Sequence, residues 1–152
     1  MAERFRAAID GGSRGNPGPA AWGVAVLGPD GEPAEGYAGY LGRATNNVAE
    51  YRALIEALEL AIGRGADDVE LLADSELVVR QIQGSYRVRN ETLKPLFAEA
   101  MRRIRAIPRF RIVHVRREQN TAADRLVNLA LDRAEADPEA GTARIVEVGS
   151  GG

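Results

Sequence analysis

Cysteine is absent from the 152 residues. That excludes disulfides, thiolate metal sites and a cysteine nucleophile. There is one histidine, His114, which argues against a His-rich zinc centre and against a Ser-His-Asp triad. Any metal here should be held by oxygen. Long apolar runs are also missing: none approaches the ~18 residues of a membrane span. The first residues, Met1-Ala2-Glu3-Arg4-Phe5, carry no signal-peptide core. A cytoplasmic location with no membrane partner is expected. Lysine is scarce, Lys94 being the single one among twenty basic residues, a pattern of GC-rich coding more than of function.

What is present fits one globular domain. Hydrophobic residues make up 45% and charged residues 28%, the balance of a folded chain with a real core. The net charge of −2 hides an asymmetry. From Arg80 to Arg125 there are twelve Lys or Arg against four acids, Glu91, Glu99, Glu118 and Asp124. The bland explanation is a solvated helix face, and it suits Arg102, Arg103 and Arg105. The alternative is a phosphate-tracking surface beside an acidic centre.

Residues 4–10 read as a strand ending at Asp10, followed by a Gly/Pro/Asn turn from Gly11 to Pro19. Ala21–Leu27 and Glu35–Leu41 read as two further strands of an antiparallel meander. The period then changes: Val48, Tyr51, Leu54, Ile55, Leu58 and Ile62 recur at helical spacing, and Gly63 and Gly65 end the helix. Val69–Ala73 is a short buried-type strand and Ser75–Gln83 a short helix closed by Gly84. Asn90–Ile107 is a longer helix stopped by Pro108, Phe110–Val115 a strand, and Thr121–Ala136 the last helix. The order βββαβααβα predicts an α/β fold: a mixed five-stranded sheet flanked by helices, its last two strands parallel to the first. The domain is expected over 1–136, with 137–152 as a partly flexible tail. Within that tail Arg144–Val148 alternates like a strand and is expected to dock on the domain.

Four acids sit at element ends or on faces that should be apolar. Asp10 follows a strand that should be central; a turn-forming Asp before Gly11 would look the same. Glu50 falls in line with Leu54, Leu58 and Ala61, the sheet-facing stripe of its helix. A carboxylate there costs several kcal/mol unless paired or metal-bound. Asp74 follows Leu71-Leu72-Ala73, where open α/β sheets place their sites, although it would also serve as a helix cap. Asp124 falls in Thr121-Ala122-Ala123-Asp124, which fits a capping box with Thr121 as N-cap. Hard carboxylate oxygens brought together by a fold are what Mg²⁺-dependent phosphodiester chemistry uses.

The stretch Asp10-Gly11-Gly12-Ser13-Arg14-Gly15-Asn16-Pro17-Gly18-Pro19, with Trp22-Gly23 after it, resembles the first hairpin of type I ribonuclease H. The resemblance continues at Thr45-Asn46-Asn47-Val48-Ala49-Glu50, at Asp74-Ser75 and at Asn120-Thr121-Ala122-Ala123-Asp124. It covers roughly residues 5–135, with four motifs in order. It implies a ribonuclease H-like fold and an endonuclease that cuts the RNA strand of RNA–DNA hybrids, leaving 5′-phosphate and 3′-hydroxyl ends. Asp10, Glu50, Asp74 and Asp124 would hold two Mg²⁺ ions, with Mn²⁺ able to substitute. Gly11, Gly12, Ser13, Gly15, Asn16, Asn46 and Asn47 would read the substrate, largely through the 2′-hydroxyl, and Thr45 would grip a DNA phosphate. Helix capping is the competing role for Asn46 and Asn47, but two adjacent asparagines need only one cap.

Three departures from the family pattern stand out. Gly84-Ser85-Tyr86-Arg87-Val88-Arg89-Asn90 runs on without the basic, tryptophan-bearing handle of many members. This matches a handle-less subgroup, with Arg87, Arg89 and Lys94 as a reduced substitute and a more salt-dependent affinity. Glu76 stands where a glutamine often contacts RNA. The loop Arg116-Arg117-Glu118-Gln119 lacks the mobile histidine of well-known members; Arg117 is the candidate cation there, and His114 is expected to be a packed, hydrogen-bonded strand residue. The alternatives are a same-fold nuclease that also takes double-stranded RNA or RNA–DNA junctions, and a non-catalytic hybrid-binding module. A Rossmann-like nucleotide binder is disfavoured, because glycines at 11, 12, 15 and 18 are not GxGxxG and the chain opens βββ. Monomeric behaviour is expected.

Overall fold

The computed structural model describes residues 4–137 and 144–148. In chain order the elements are β1 (Arg4–Ser13), β2 (Gly18–Leu27), β3 (Pro33–Ala44), α1 (Asn46–Gly63), β4 (Asp68–Ala73), α2 (Glu76–Ile82), α3 (Leu93–Arg105), β5 (Arg109–His114), a 3₁₀ turn (Arg117–Gln119), α4 (Thr121–Ala136) and β6 (Ile145–Val148). The sheet order is β5-β4-β1-β2-β3-β6. β1, β2 and β3 form the antiparallel meander, and β4 and β5 run parallel to β1. The α/β class and topology are those expected.

The strand count is not. The sheet has six strands, because β6 pairs antiparallel with β3 from Glu35–Val148 to Ala38–Ile145. The tail segment therefore docks, as its alternation suggested. Ile145 is buried, and the Arg144 guanidinium lies 5.5 Å and 5.3 Å from the Trp22 and Tyr37 ring centres. Glu147 pairs with Arg125 of α4. The breaker stretch after Asp137 and the Gly149–Gly152 end lie outside the described residues. Among the described residues no helix is long and apolar enough to cross a membrane.

The first hairpin is also longer than expected. β1 continues past Asp10 through Gly11, Gly12 and Ser13, which pair with Trp22, Ala21 and Ala20. Glycine and serine have little strand propensity of their own; their strand state comes from the β2 partner. The turn shrinks to Arg14–Pro17, closed by Arg14 N–H donating to the Pro19 carbonyl at 2.8 Å.

α1, α2 and α3 cover one face of the sheet and α4 the other. α1 starts where the Thr45 hydroxyl accepts from Val48 N–H, and ends at Arg64 before Gly65 at φ +71°. α3 begins at Leu93, not Asn90, because the Asn90 side chain accepts from Thr92 and Leu93 N–H and turns the chain into the helix. Pro95 then falls in the first turn, where its missing N–H costs nothing.

Candidate active site

β1 and β4 stay paired as far as Ile9 and Ala73. β4 ends there, and beyond it a cleft opens between β1 and the segment that follows β4. Asp10 and Asp74, the next residue of each strand, stand on its sides. Glu50 reaches it from the first turns of α1. The close approach of α1 to β1 needs Gly11: a Cβ there would lie 2.1 Å from the Ala49 carbonyl carbon and 2.4 Å from Glu50 N. No side chain fits at that position, and its absence seats Glu50 beside Asp10.

Carboxylate oxygens of Asp10, Glu50 and Asp74 all lie within 4.8 Å of one another. Asp124, in the first turn of α4, lines the same cleft but stands outside that triad. The cleft holds about 540 Å³ and is also lined by Gly12, Ser13, Asn46, Ser75, Arg117 and Asn128. Burial, followed by the negative charges of Asp74 and Asp124, pushes the Asp10 carboxyl up from 3.8 to about 7; the Gly11 N–H and Arg117 pull the other way. Burial, then Asp10 and Asp74, holds Glu50 well above the usual carboxylate range. Such like charges in one partly dry place repel unless protonated or joined by a cation. Hard oxygen donors, and no histidine or thiolate, are a Mg²⁺- or Mn²⁺-type donor set. The residues present therefore fit such an ion.

The expected substrate readers divide into groups. Gly11, Gly12, Ser13 and Asn46 line the cleft, while Gly15 and Asn16 are exposed at the hairpin tip. Asn46 bonds to this hairpin: its Oδ1 accepts from Ser13 N–H at 2.8 Å and from the Ser13 hydroxyl at 3.1 Å, and its N–H donates to Asn16 Oδ1 at 3.1 Å. Neither Asn46 nor Asn47 caps α1; Thr45 does, with its hydroxyl oxygen. Asn47 is half-buried in the first turn. Arg117 lines the cleft from the 3₁₀ turn.

Glu76 is not among the lining residues. Its carboxylate accepts from the Tyr86 hydroxyl at 3.4 Å and lies 3.9 Å from Arg80, on the outer side of α2. His114 is exposed at the end of β5, with Nε2 3.3 Å from the Asp74 carbonyl oxygen. It is hydrogen-bonded as expected but not packed, because β5 is the edge strand and its last residue meets solvent.

The caps of α2 and α4 decide between the competing roles of Asp74 and Thr121. Ser75, not Asp74, caps α2 by accepting from Val78 N–H at 3.3 Å. Asp74 is left for the cleft. The N-cap of α4 is Asn120, not Thr121, and its side chain makes no cap bond. Asn120 is buried and donates instead to the Ile9 carbonyl at 2.9 Å, tying the start of α4 to the strand that carries Asp10. Sequence reasoning passed over Asn120, Asn128 and Arg14 as individual residues. For Asn128 a signal existed: it stands four residues after Asp124, one turn on along the same helix face.

The sequence pattern of the family described as "Reverse transcriptase-like" matches residues 8–130. Ribonuclease HI of Halobacterium salinarum is 48% identical over 132 residues, covering 86% of this chain and 66% of the relative. The crystal structure of RNase H1 from that archaeon superposes with a TM-score of 0.82 at 44% identity, over 87% of this chain and 100% of the other. A bifunctional protein of Mycobacterium tuberculosis is 45% identical over 141 residues, 90% of this chain and 38% of the relative. LC11-RNase H1, solved in complex with an RNA/DNA hybrid, has a TM-score of 0.80 at 44% identity, over 86% of this chain and 99% of that one. The chain thus spans less than two thirds of the length of these two curated relatives. It belongs to the ribonuclease H family, type 1, in the form without the inserted handle, since only residues 83–92 connect α2 to α3.

Proposed function

We propose that this protein is an endoribonuclease that hydrolyses the RNA strand of RNA–DNA hybrids, leaving 5′-phosphate and 3′-hydroxyl ends. It would work as a cytoplasmic monomer whose catalytic unit is 1–136, with 137–152 an appended tail. The observation that carries this reading is the meeting of Asp10, Glu50 and Asp74 within 4.8 Å in a cleft walled by the glycine-rich hairpin. Membership of the family and the hybrid bound to a 44% identical relative support the substrate.

Asp10, Glu50, Asp74 and Asp124 are the residues to hold two Mg²⁺ ions, or Mn²⁺ in their place. Such ions would supply an activated water and charge neutralisation at the scissile phosphate and its leaving oxygen. The chain's own groups do the rest. The backbone of Gly11, Gly12, Ser13 and Gly15 lets the hairpin approach the RNA strand closely. Asn16, Asn46 and Asn47 offer donors and acceptors to 2′-hydroxyls and base edges in the wide, shallow groove of the hybrid. The Thr45 hydroxyl, its oxygen accepting the cap bond, keeps its proton for a DNA phosphate. Arg117 neutralises phosphate charge at the cleft edge. Glu76, paired with Tyr86 and Arg80, would meet the RNA strand only from outside the cleft.

The test is cleavage of end-labelled hybrid beside matched double-stranded RNA and DNA duplexes, with Mg²⁺ and with Mn²⁺. The expected result is metal-dependent cutting of RNA in the hybrid alone. A second reading, action on double-stranded RNA as well, draws on the short 83–92 connection, which leaves less surface to select the DNA strand. Comparable cutting of double-stranded RNA would favour it. Tight hybrid binding with no cutting would make the protein a binding module.

A further inference from the structure

Arg14 stands at the hairpin tip and makes more side-chain hydrogen bonds than any other tip residue among those described. Its guanidinium donates to Glu135 at 2.6 Å, to Asp132 at 2.7 Å and to Asn128 Oδ1 at 3.3 Å, all on α4. The two carboxylates raise its pKa further above the usual arginine value. Asn128 in turn donates through Nδ2 to the Asp124 carbonyl at 3.0 Å. A chain of bonds therefore runs from the hairpin tip to the helical turn that carries Asp124, along the wall of the substrate cleft, which Arg14 and Asn128 both line. On its other side the hairpin is held by Asn46 of α1. The tip is braced from two helices, and Arg14 is the whole of the α4 brace among the described hydrogen bonds.

We propose that Arg14 is a positioning residue: its tie to Asn128, Asp132 and Glu135 sets the distance and angle at which the Gly15–Asn16 tip meets the RNA strand. This rests on the ribonuclease H reading above. The obvious alternative for an arginine in such a cleft is a direct phosphate contact. The geometry argues against it, because two carboxylates already take up the forked donors. Nor is the tie there for stability. Its acids are more than half exposed, and exposed ion pairs contribute about 0–1 kcal/mol. An effect on substrate use with little effect on folding is what separates positioning from scaffolding.

The two roles predict opposite signs. A phosphate-binding arginine held back by acids would bind substrate better once the acids are removed. A positioning arginine would bind worse. The experiment is steady-state cleavage of hybrid at several salt concentrations by wild type, Arg14→Ala, Arg14→Lys, the double variant Asp132→Asn/Glu135→Gln, and all three substitutions combined. We expect KM to rise five- to twentyfold in Arg14→Ala and in the double variant, with kcat within twofold of wild type. The combined variant should be no worse than either, because both break one tie. Arg14→Lys should recover part of the loss, and the slope of log KM against log salt should match wild type in Arg14→Ala. Tighter binding by the double variant, or a slope about one unit shallower in Arg14→Ala, would overturn the proposal in favour of a phosphate contact. Wild-type KM in all variants, with hybrid still cut, would overturn it while leaving the ribonuclease reading intact. A wild type that cuts no hybrid would overturn both.

Discussion

On the face covered by α1, the sheet presents Phe5, Ile9, Trp22, Val24 and Leu71 to Tyr51, Leu54 and Leu58. On the face covered by α4 it presents Ala8, Ala21, Ala25 and Ala38 to Leu126, Val127 and Ala130. The first face buries large side chains and carries most of the apolar area. The second is lined by small residues, and α4 lies close against it: a Cβ at Gly23 would be 2.8 Å from the Ala123 carbonyl oxygen, and one at Gly36 would be 2.9 Å from Leu126. Bulk gives stability and smallness gives proximity. The site needs both, since Glu50 comes from the bulky side and Asp124 from the close one. Gly11 is where the bulky side turns close.

Gly11→Ala tests that exception hardest. The collision is with backbone, which no rotamer relieves, so at least about 3 kcal/mol should be lost in a urea melt, and cleavage per folded molecule should disappear. A variant that keeps wild-type turnover would show that α1 need not touch β1.

Leu58→Ala and Gly23→Ala sharpen the comparison as a pair. The first should cost about 2–5 kcal/mol and leave kcat of the folded protein near wild type. The second should cost less, about 1–3 kcal/mol, yet lower kcat more, because it lifts the turn that carries Asp124. Equal activity loss per kcal/mol in both would erase the distinction.

Asp10 gives a pH dependence. Its carboxyl is raised from 3.8 to about 7, so without metal its contribution to stability is fully present below about pH 4. That contribution is lost as pH rises through about 7, an effect of up to about 4 kcal/mol. Asp10→Asn should therefore melt higher than wild type at pH 8 without metal, and the difference should vanish near pH 4. A constant difference across that range would contradict the repulsion described here.

The smallest effect belongs to the far edge of the close face. Glu147→Ala on β6 removes the pair with Arg125 of α4, and should cost no more than about 1 kcal/mol. A larger loss would mean that the sixth strand holds α4 in place and is not merely laid against β3.

What the sequence made legible follows the same physics. Glu50 stood out because a carboxylate on an apolar stripe is a local contradiction, visible without any partner. The helices were legible from periodicity, and the parallel strands as short apolar runs between breakers. The extension of β1 through Gly11, Gly12 and Ser13 was not, because those residues adopt strand only when Ala20, Ala21 and Trp22 lie opposite. Which residue caps each helix at Thr45, Ser75 and Asn120 was not legible, because several neighbouring residues were competent and only the fold chooses between them. Arg14 was silent for a related reason: its partners lie more than 110 residues away on α4.

The most direct test of the central claim is calorimetric titration of Mn²⁺ into wild type and Glu50→Gln at pH 8, with a hybrid cleavage assay on the same preparations. Saturable Mn²⁺ binding in wild type that Glu50→Gln weakens at least tenfold, with loss of cutting, is the expected result. Undiminished binding and cutting in Glu50→Gln would mean that the meeting of Asp10, Glu50 and Asp74 is not the working centre.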